Sequence, residues 1–331
     1  MFGLRRFSKP AGRPANDAAA SPDPLRIDAE ELLRRLEWTV IRRLDGALQG
    51  DYRTLFRGFG LDLADLREYQ PGDDVRHIDW NVTARLQTPH VREFQEDREV
   101  SAWFVLDLSG SVDFGSGAVR KRAVLTGFVG VLARFLTRYG NRVGAVLYAG
   151  NASSAIPARS GRRHVLHVLQ KVGETRADGR SGETKLGELL ERAQAAIGRR
   201  SVVFVVSDFI SAPGWERPLG VLAQRHEVVA VRLYDPLEQS MPDLGLVVLQ
   251  DAETGEQLFV DTHDPGFRKR FAAEADKREA ALRKALAEAG VDCLELATDD
   301  RLDEALLHFT RLRRRRSQLV GGLSGIWARD I

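Results

Sequence analysis

From residue 100 onward, short continuous apolar runs alternate with longer amphipathic stretches, and this alternation limits the fold more than any other feature of the chain. The runs are "SAWFVLDL", "RVGAVLYA", "SVVFVVSDF", "HEVVAVRLYD" and "VDCLELA". Helical spacing fills the gaps at about 118–139, 162–173, 184–197, 214–224 and 265–289, and a last helix follows the final run. A strand that is apolar on both faces must be covered on both faces. The pattern therefore predicts an α/β fold, a doubly wound and mostly parallel sheet. The stretch "GLVVLQDAETGEQLFVDT" holds two alternating runs about a Thr-Gly turn, which predicts a β-hairpin at the edge of that sheet.

Four segments follow from the same reading: a disordered tail over 1–24, an N-terminal helix and charged lobe over 25–98, the α/β domain over 99–310 and a basic tail over 311–331. The tail is rich in Pro, Ala and Ser and lacks the apolar core of a secretory signal. Leu25, Leu32, Leu33, Leu36, Val40 and Leu44 share a helical face that must dock on something.

Ligands of doubly wound sheets gather beyond the carboxyl ends of the strands. Asp107, Ser109 and Ser111 follow the first strand in "DLSGS", and Asp208 follows "SVVFVVS". A nucleophilic serine needs G-x-S-x-G, yet Asp107 and Ser111 stand where its glycines belong. The phosphate-loop pattern G-x-x-x-x-G-K-[ST] is absent. An aspartyl phosphotransferase with Asp107 as nucleophile, supported by Thr184 and Asp208, would need a general acid two positions on. That position is Ser109, which cannot exchange a proton usefully near neutral pH. The remaining reading is a hard divalent cation held by oxygens alone: Asp107, the hydroxyls of Ser109 and Ser111, a threonine from a second loop and an acid from a third. The bland alternative is that the serines cap a turn and Asp208 is a loop acid.

D-x-S-x-S in "DLSGS", the threonine of "GETKL" and the aspartate of "VSDF" resemble the metal-ion-dependent adhesion site of the von Willebrand factor A domain. The resemblance implies Asp107, Ser109, Ser111, Thr184 and Asp208 as ligands of Mg²⁺, or of Mn²⁺ or Ca²⁺. It also implies an open position for an Asp or Glu carboxylate of a protein partner.

A dense charged segment precedes the sheet, with Arg67, Glu68, Asp73, Asp74, Arg76, Asp79, Arg85, Arg92 and Glu93 around Tyr69 and Trp80. Its near-equal mixture of arginine and carboxylate predicts mutual ion pairing inside a small lobe, with Trp80 as apolar anchor. Gln70-Pro71-Gly72-Asp73 has the chemistry of a type II turn. "REYQPGDDVRHIDWNVTAR" followed by "REFQEDRE" and the adhesion-type motif resembles the bacterial family catalogued as domain of unknown function 58 (DUF58). These are von Willebrand factor A-like proteins associated with MoxR-type AAA+ ATPases. The resemblance implies an adaptor or co-chaperone that serves such an ATPase in maturing or remodelling protein complexes.

Charge narrows the other partners. Lys and Arg number 49 against 47 Asp and Glu, so no overall field favours nucleic acid or membrane. "RLRRRR" at 311–316 reads first as a solvated helix end and only second as a nucleic-acid or acidic-partner contact. The single cysteine, Cys293, excludes an internal disulfide and fits a reducing, cytoplasmic setting. With no run long enough to span a bilayer, the expected protein is a non-enzymatic, metal-dependent binding module. Its alternative is a metal-dependent phosphotransferase or hydrolase acting through Asp107.

Overall fold

The computed structural model describes residues 2–5, 29–41, 44, 65–70, 78, 80–93, 101–150, 152–176, 183–251 and 256–318. In chain order its elements begin with β1 (Phe2–Arg5), α1 (Ala29–Leu36, continued by a π-helical turn at Glu37–Ile41), β2 (Asp65–Glu68), α2 (Trp80–Leu86) and β3 (His90–Glu93). The main domain follows with β4 (Ser101–Asp107), a 3-10 turn (Gly110–Asp113), α3 (Lys121–Arg138), β5 (Arg142–Ala149), β6 (Ala152–Arg159) and α4 (Arg162–Glu174). Next come α5 (Leu186–Ala196), β7 (Val202–Ser207), α6 (Glu216–Arg225), β8 (Glu227–Tyr234) and a 3-10 turn (Pro236–Glu238). The chain closes with β9 (Leu246–Asp251), β10 (Gln257–Asp261), α7 (Pro265–Glu288), β11 (Asp292–Ala297) and α8 (Leu302–Gln318).

Six strands form one sheet in the order β11-β8-β7-β4-β5-β6. Every neighbouring pair is parallel except β5 and β6. This is the doubly wound, mostly parallel α/β sheet expected from the apolar runs.

β4 shows why such a run has no polar side. Phe104 and Leu106 enter a layer with Phe128 of α3, Leu169 of α4 and Leu306 of α8, which also takes Leu33 and Leu36 of α1. Trp103 and Val105 enter the opposite layer with Leu189 of α5, Leu219 of α6 and Leu286 of α7. Each such side chain contributes about 1.5–3 kcal/mol on burial. Phe104 stacks on Phe204 at 5.5 Å between ring centroids, and Phe128 meets both edge-on. Trp103 lies directly over Gly144 of β5, where an added Cβ would sit 2.8 Å from the indole.

Several expectations are corrected. The hairpin β9–β10 does not extend the main sheet: it forms a separate antiparallel sheet in the order β1-β9-β10. Its apolar side packs Leu249 and Val260 with Met241 against Phe267 and Phe271 of α7, which draws it off the sheet edge. Phe2–Arg5, read as disordered tail, is the third strand, because β9 offers it an open row of backbone groups. The main sheet ends in β11 on one side and β6 on the other, and the apolar pattern reveals β11 but not β6. Its side chains are mostly exposed and it carries Pro157, a residue that edge strands tolerate.

Trp80 is not an anchor. It opens the seven-residue α2 with 69% of its surface exposed, since so short a helix packed on β3 offers no cleft for an indole. The first residues of the basic tail continue α8, where Arg313 donates to Glu227 and pairs with Asp292 at 3.1 Å. The Pro71-Gly72 turn and Asp73, Asp74, Arg76 and Asp79 lie outside the described residues. Among the described residues no helix is long and apolar enough to cross a membrane.

Candidate metal centre

Asp107 ends β4 and Asp208 follows β7, the strand beside it, so the topology alone brings two carboxylates to one rim of the sheet. Both make the same local turn. Asp107 Oδ1 accepts a hydrogen bond from Ser109 N at 3.0 Å, and Asp208 Oδ1 accepts one from Ile210 N at 3.0 Å. An aspartate at a strand end binds the amide two residues on and turns the chain over the rim. The remaining oxygen of Asp107 accepts from Ser207 Oγ at 2.8 Å, which ties the two strand ends together.

The serines converge on the same place. Ser109 Oγ and Ser111 Oγ lie 3.1 Å apart, both buried, as the 3-10 turn begins. Arg122, in the first turn of α3, clamps that turn by donating to Leu108 O and Asp113 Oδ2, each at 3.2 Å. Thr184 is buried on a second loop. Its carbonyl accepts from Ala212 N at 2.8 Å, and Leu186 N donates to Ser211 Oγ at 3.0 Å, so this loop is bound to the one that leads away from Asp208. Asp107, Ser109, Ser111 and Asp208 are thus joined by hydrogen bonds and charge, and Thr184 is tied to them through the main chain.

Electrostatics mark the rim as short of positive charge. Burial, and then the nearby Asp208 charge, push the Asp107 carboxyl up to about 6, against the hydrogen bonds from Ser109 and Ser207 that favour its ionised form. The donors are two carboxylates and three hydroxyls, a set that suits a hard cation and offers a soft one nothing. Among the described residues no three or more His, Cys, Asp or Glu gather as a conventional metal cluster.

Sequence reasoning missed the cation already present. Lys121, the first residue of α3, is fully buried, and its Nζ donates to Asp208 Oδ2 and to Glu238 Oε1, each at 2.7 Å. Burial by itself would lower this ammonium, but Asp208 and Glu238 outweigh it and hold it above its ordinary value. A signal was available in "RKR" at a helix start. Cations are disfavoured at the positive end of the helix dipole unless something else holds them.

Glu238 in turn belongs to a capping box with Asp235, also legible as D-x-x-E in "DPLE". Asp235 is wholly buried, and it accepts from Ser116 Oγ at 2.6 Å, Ser116 N at 2.8 Å, Leu237 N at 3.0 Å and Thr298 Oγ at 2.8 Å. Burial opposes its ionisation, yet these donors hold its carboxyl below the ordinary range. It thus braces the loops around the candidate centre.

A family model described as "Protein of unknown function DUF58" matches residues 65–281. An uncharacterized protein of Mycobacterium tuberculosis is 37% identical over 309 residues, which cover 92% of this chain and 96% of that one. Among solved structures, the conserved hypothetical protein BatB from Bacteroides thetaiotaomicron is similar with a TM-score of 0.39 at 14% identity, covering 65% of this chain and 99% of that one. The manganese-loaded TRAP protein of Plasmodium vivax is similar with a TM-score of 0.30 at 15% identity, covering 40% of this chain and 57% of that one.

Proposed function

The chain belongs to the DUF58 family, and on that premise we propose that it is a non-enzymatic protein-binding module whose contact with its partner is completed by a divalent cation at the sheet rim. One observation carries the reading: Asp107 is forced into a buried, anionic corner beside Asp208, with two serine hydroxyls turned to the same point. Asp107, Ser109 and Ser111 would hold the ion most directly. Thr184 and Asp208 would complete its surroundings, Asp208 while keeping its bond to Lys121. When bound, Mg²⁺ or Mn²⁺ supplies the missing positive charge and a free coordination position for an Asp or Glu side chain of the partner.

The chain's own residues prepare that contact. Ser207 and the Ser109 amide orient Asp107, and Arg122 fixes the turn that carries the serines. Proton transfer finds no support at Ser109, which stands where an aspartyl phosphotransferase would need its acid. The wider context we propose is that of an adaptor or co-chaperone for a MoxR-type AAA+ ATPase, as the family resemblance implies, in the reducing, cytoplasmic setting that the single Cys293 fits.

The test is affinity capture from the native cell with and without chelator, using wild type and Asp107→Ala. Loss of the same proteins under both treatments supports the module. Retention under both treatments removes the metal from the account. Phosphoester turnover that needs both Mg²⁺ and Asp107 would instead establish the hydrolase.

A further inference from the structure

The small sheet β1-β9-β10 ends in β10, and among the described residues that strand pairs with β9 alone. Its register fixes which backbone groups are spent. Thr262 N donates to Gly245 O at 2.9 Å, so this pair, and with it Val260–Val247 and Leu258–Leu249, are the ones that exchange bonds across the ladder. The alternate residues Gln257, Phe259 and Asp261 therefore turn their N–H and C=O groups to the free side.

Two observations separate this edge from an ordinary one. The first is exposure. Half of the large apolar side chains exposed among the described residues, Leu244, Leu246, Leu258 and Phe259, belong to this hairpin or adjoin it, Phe259 at 73%. Leu258 stands opposite Leu249 on the side that faces α7, yet it is 48% exposed while Leu249 is buried, so the edge overhangs the helix.

The second is a lack of protection. Edge strands of soluble proteins carry a lysine, a proline or a bulge that keeps other strands away. β6, at one end of the main sheet, has Pro157 and a register shift against β5 between Val143 and Ala145. The "QLFVD" of β10 has neither lysine nor proline, and it pairs with β9 residue for residue.

An open strand edge is satisfied by another strand, and this one fits itself. In an antiparallel pair about a two-fold axis at Phe259, the two Phe259 residues face each other, Leu258 faces Val260 and Gln257 faces Asp261. An aromatic pair, an apolar pair and an amide that donates to a carboxylate are all favourable between facing residues. Centred on Asp261, the same strands would set two carboxylates against each other. We propose that β10 pairs with β10 of a second copy of this chain, so that two three-stranded sheets join into one and the protein is a dimer. Such a dimer carries two candidate metal centres, and its formation needs no ion.

Sedimentation equilibrium of the full chain should give a dimer with a dissociation constant on the order of 10 µM, since one short strand pair makes a small interface. Phe259→Lys removes the ring and charges the edge, and should weaken association about tenfold or more. Val221→Lys, at another exposed apolar position on α6, should leave it unchanged. Register is read by disulfide trapping in a Cys293→Ala background, which removes the native thiol. Phe259→Cys should give a covalent dimer with oxidised glutathione, because facing Cα atoms lie about 5.5 Å apart. Gln257→Cys alone should not, its counterpart standing about 14 Å away along the strands, whereas Gln257→Cys with Asp261→Cys should. A chain that stays monomeric well above the expected dissociation constant overturns the proposal. So does a dimer that Phe259→Lys leaves intact or that Val221→Lys weakens as much, or cross-linking through Gln257→Cys as strong as through Phe259→Cys.

Discussion

Lys121 Nζ lies 2.7 Å from Asp208 Oδ2, and neither side chain is exposed to solvent. A lysine and an aspartate so placed are bound to each other's charge, because removing one leaves the other stranded in a medium that solvates it poorly.

Lys121→Met should therefore strand both Asp208 and Glu238, with a loss of roughly 3–5 kcal/mol in urea unfolding. Adding Asp208→Asn to that variant should recover part of the loss. If the double variant is no more stable than the single one, the pair is not the source of the cost.

Asp107 makes stability depend on pH in an unusual direction. Its folded pKa is raised from 3.8 to about 6, so the native state binds the extra proton between those values. This contribution is fully present below pH 3.8 and is lost as pH rises through about 6. At pH 8 the ionised group costs the apo fold on the order of 3 kcal/mol. Asp107→Asn should accordingly stabilise the chelator-treated protein at pH 8 and much less at pH 5, as read by thermal melting. Mg²⁺ should raise the wild-type melting temperature at pH 8 and leave that of Asp107→Asn unmoved.

His226 runs the other way. It is buried at the end of α6 with both ring nitrogens lacking a partner among the described residues, and burial, then Arg225 and Arg200, lower its pKa below 6.5. The unfolded chain therefore binds the proton first, and stability falls as pH drops below 6.5. His226→Phe should flatten that limb of the pH–stability curve while leaving the Asp107 limb intact.

Gly144→Ala tests the packing of the sheet. The new methyl would meet the Trp103 ring at 2.8–2.9 Å, and Trp103 belongs to the same buried cluster as Val146, Leu189 and Val203, which leaves it little room to yield. Overpacking of this kind costs about 1–3 kcal/mol. Trp103→Phe in the same chain should return much of it, measured by urea unfolding.

The central strands and the helices between them were legible because burial on two faces writes itself as uninterrupted apolar runs. β6 was not, since an edge strand with one wet side needs few apolar residues and "ASSAIPAR" has few. β1 was hidden for a different reason: its partner lies at Leu246–Asp251, and nothing local in "FGLR" announces a pairing across most of the chain. At the rim, Asp107 and Asp208 could be placed by strand order alone, whereas Lys121 could not. The "RKR" at a helix start signals that something holds a cation there, but only the carboxylates folded around Lys121 reveal which cation it is and what holds it.

Asp235 has a consequence for motion. One carboxylate holds Ser116 ahead of α3, Leu237 after β8 and Thr298 after β11, so three connections that are distant along the chain share a single latch. None can swing out without breaking bonds that restrain the other two. Hydrogen exchange at these loops should therefore proceed through one common opening, and whatever seats itself on this end of the molecule should slow all three together.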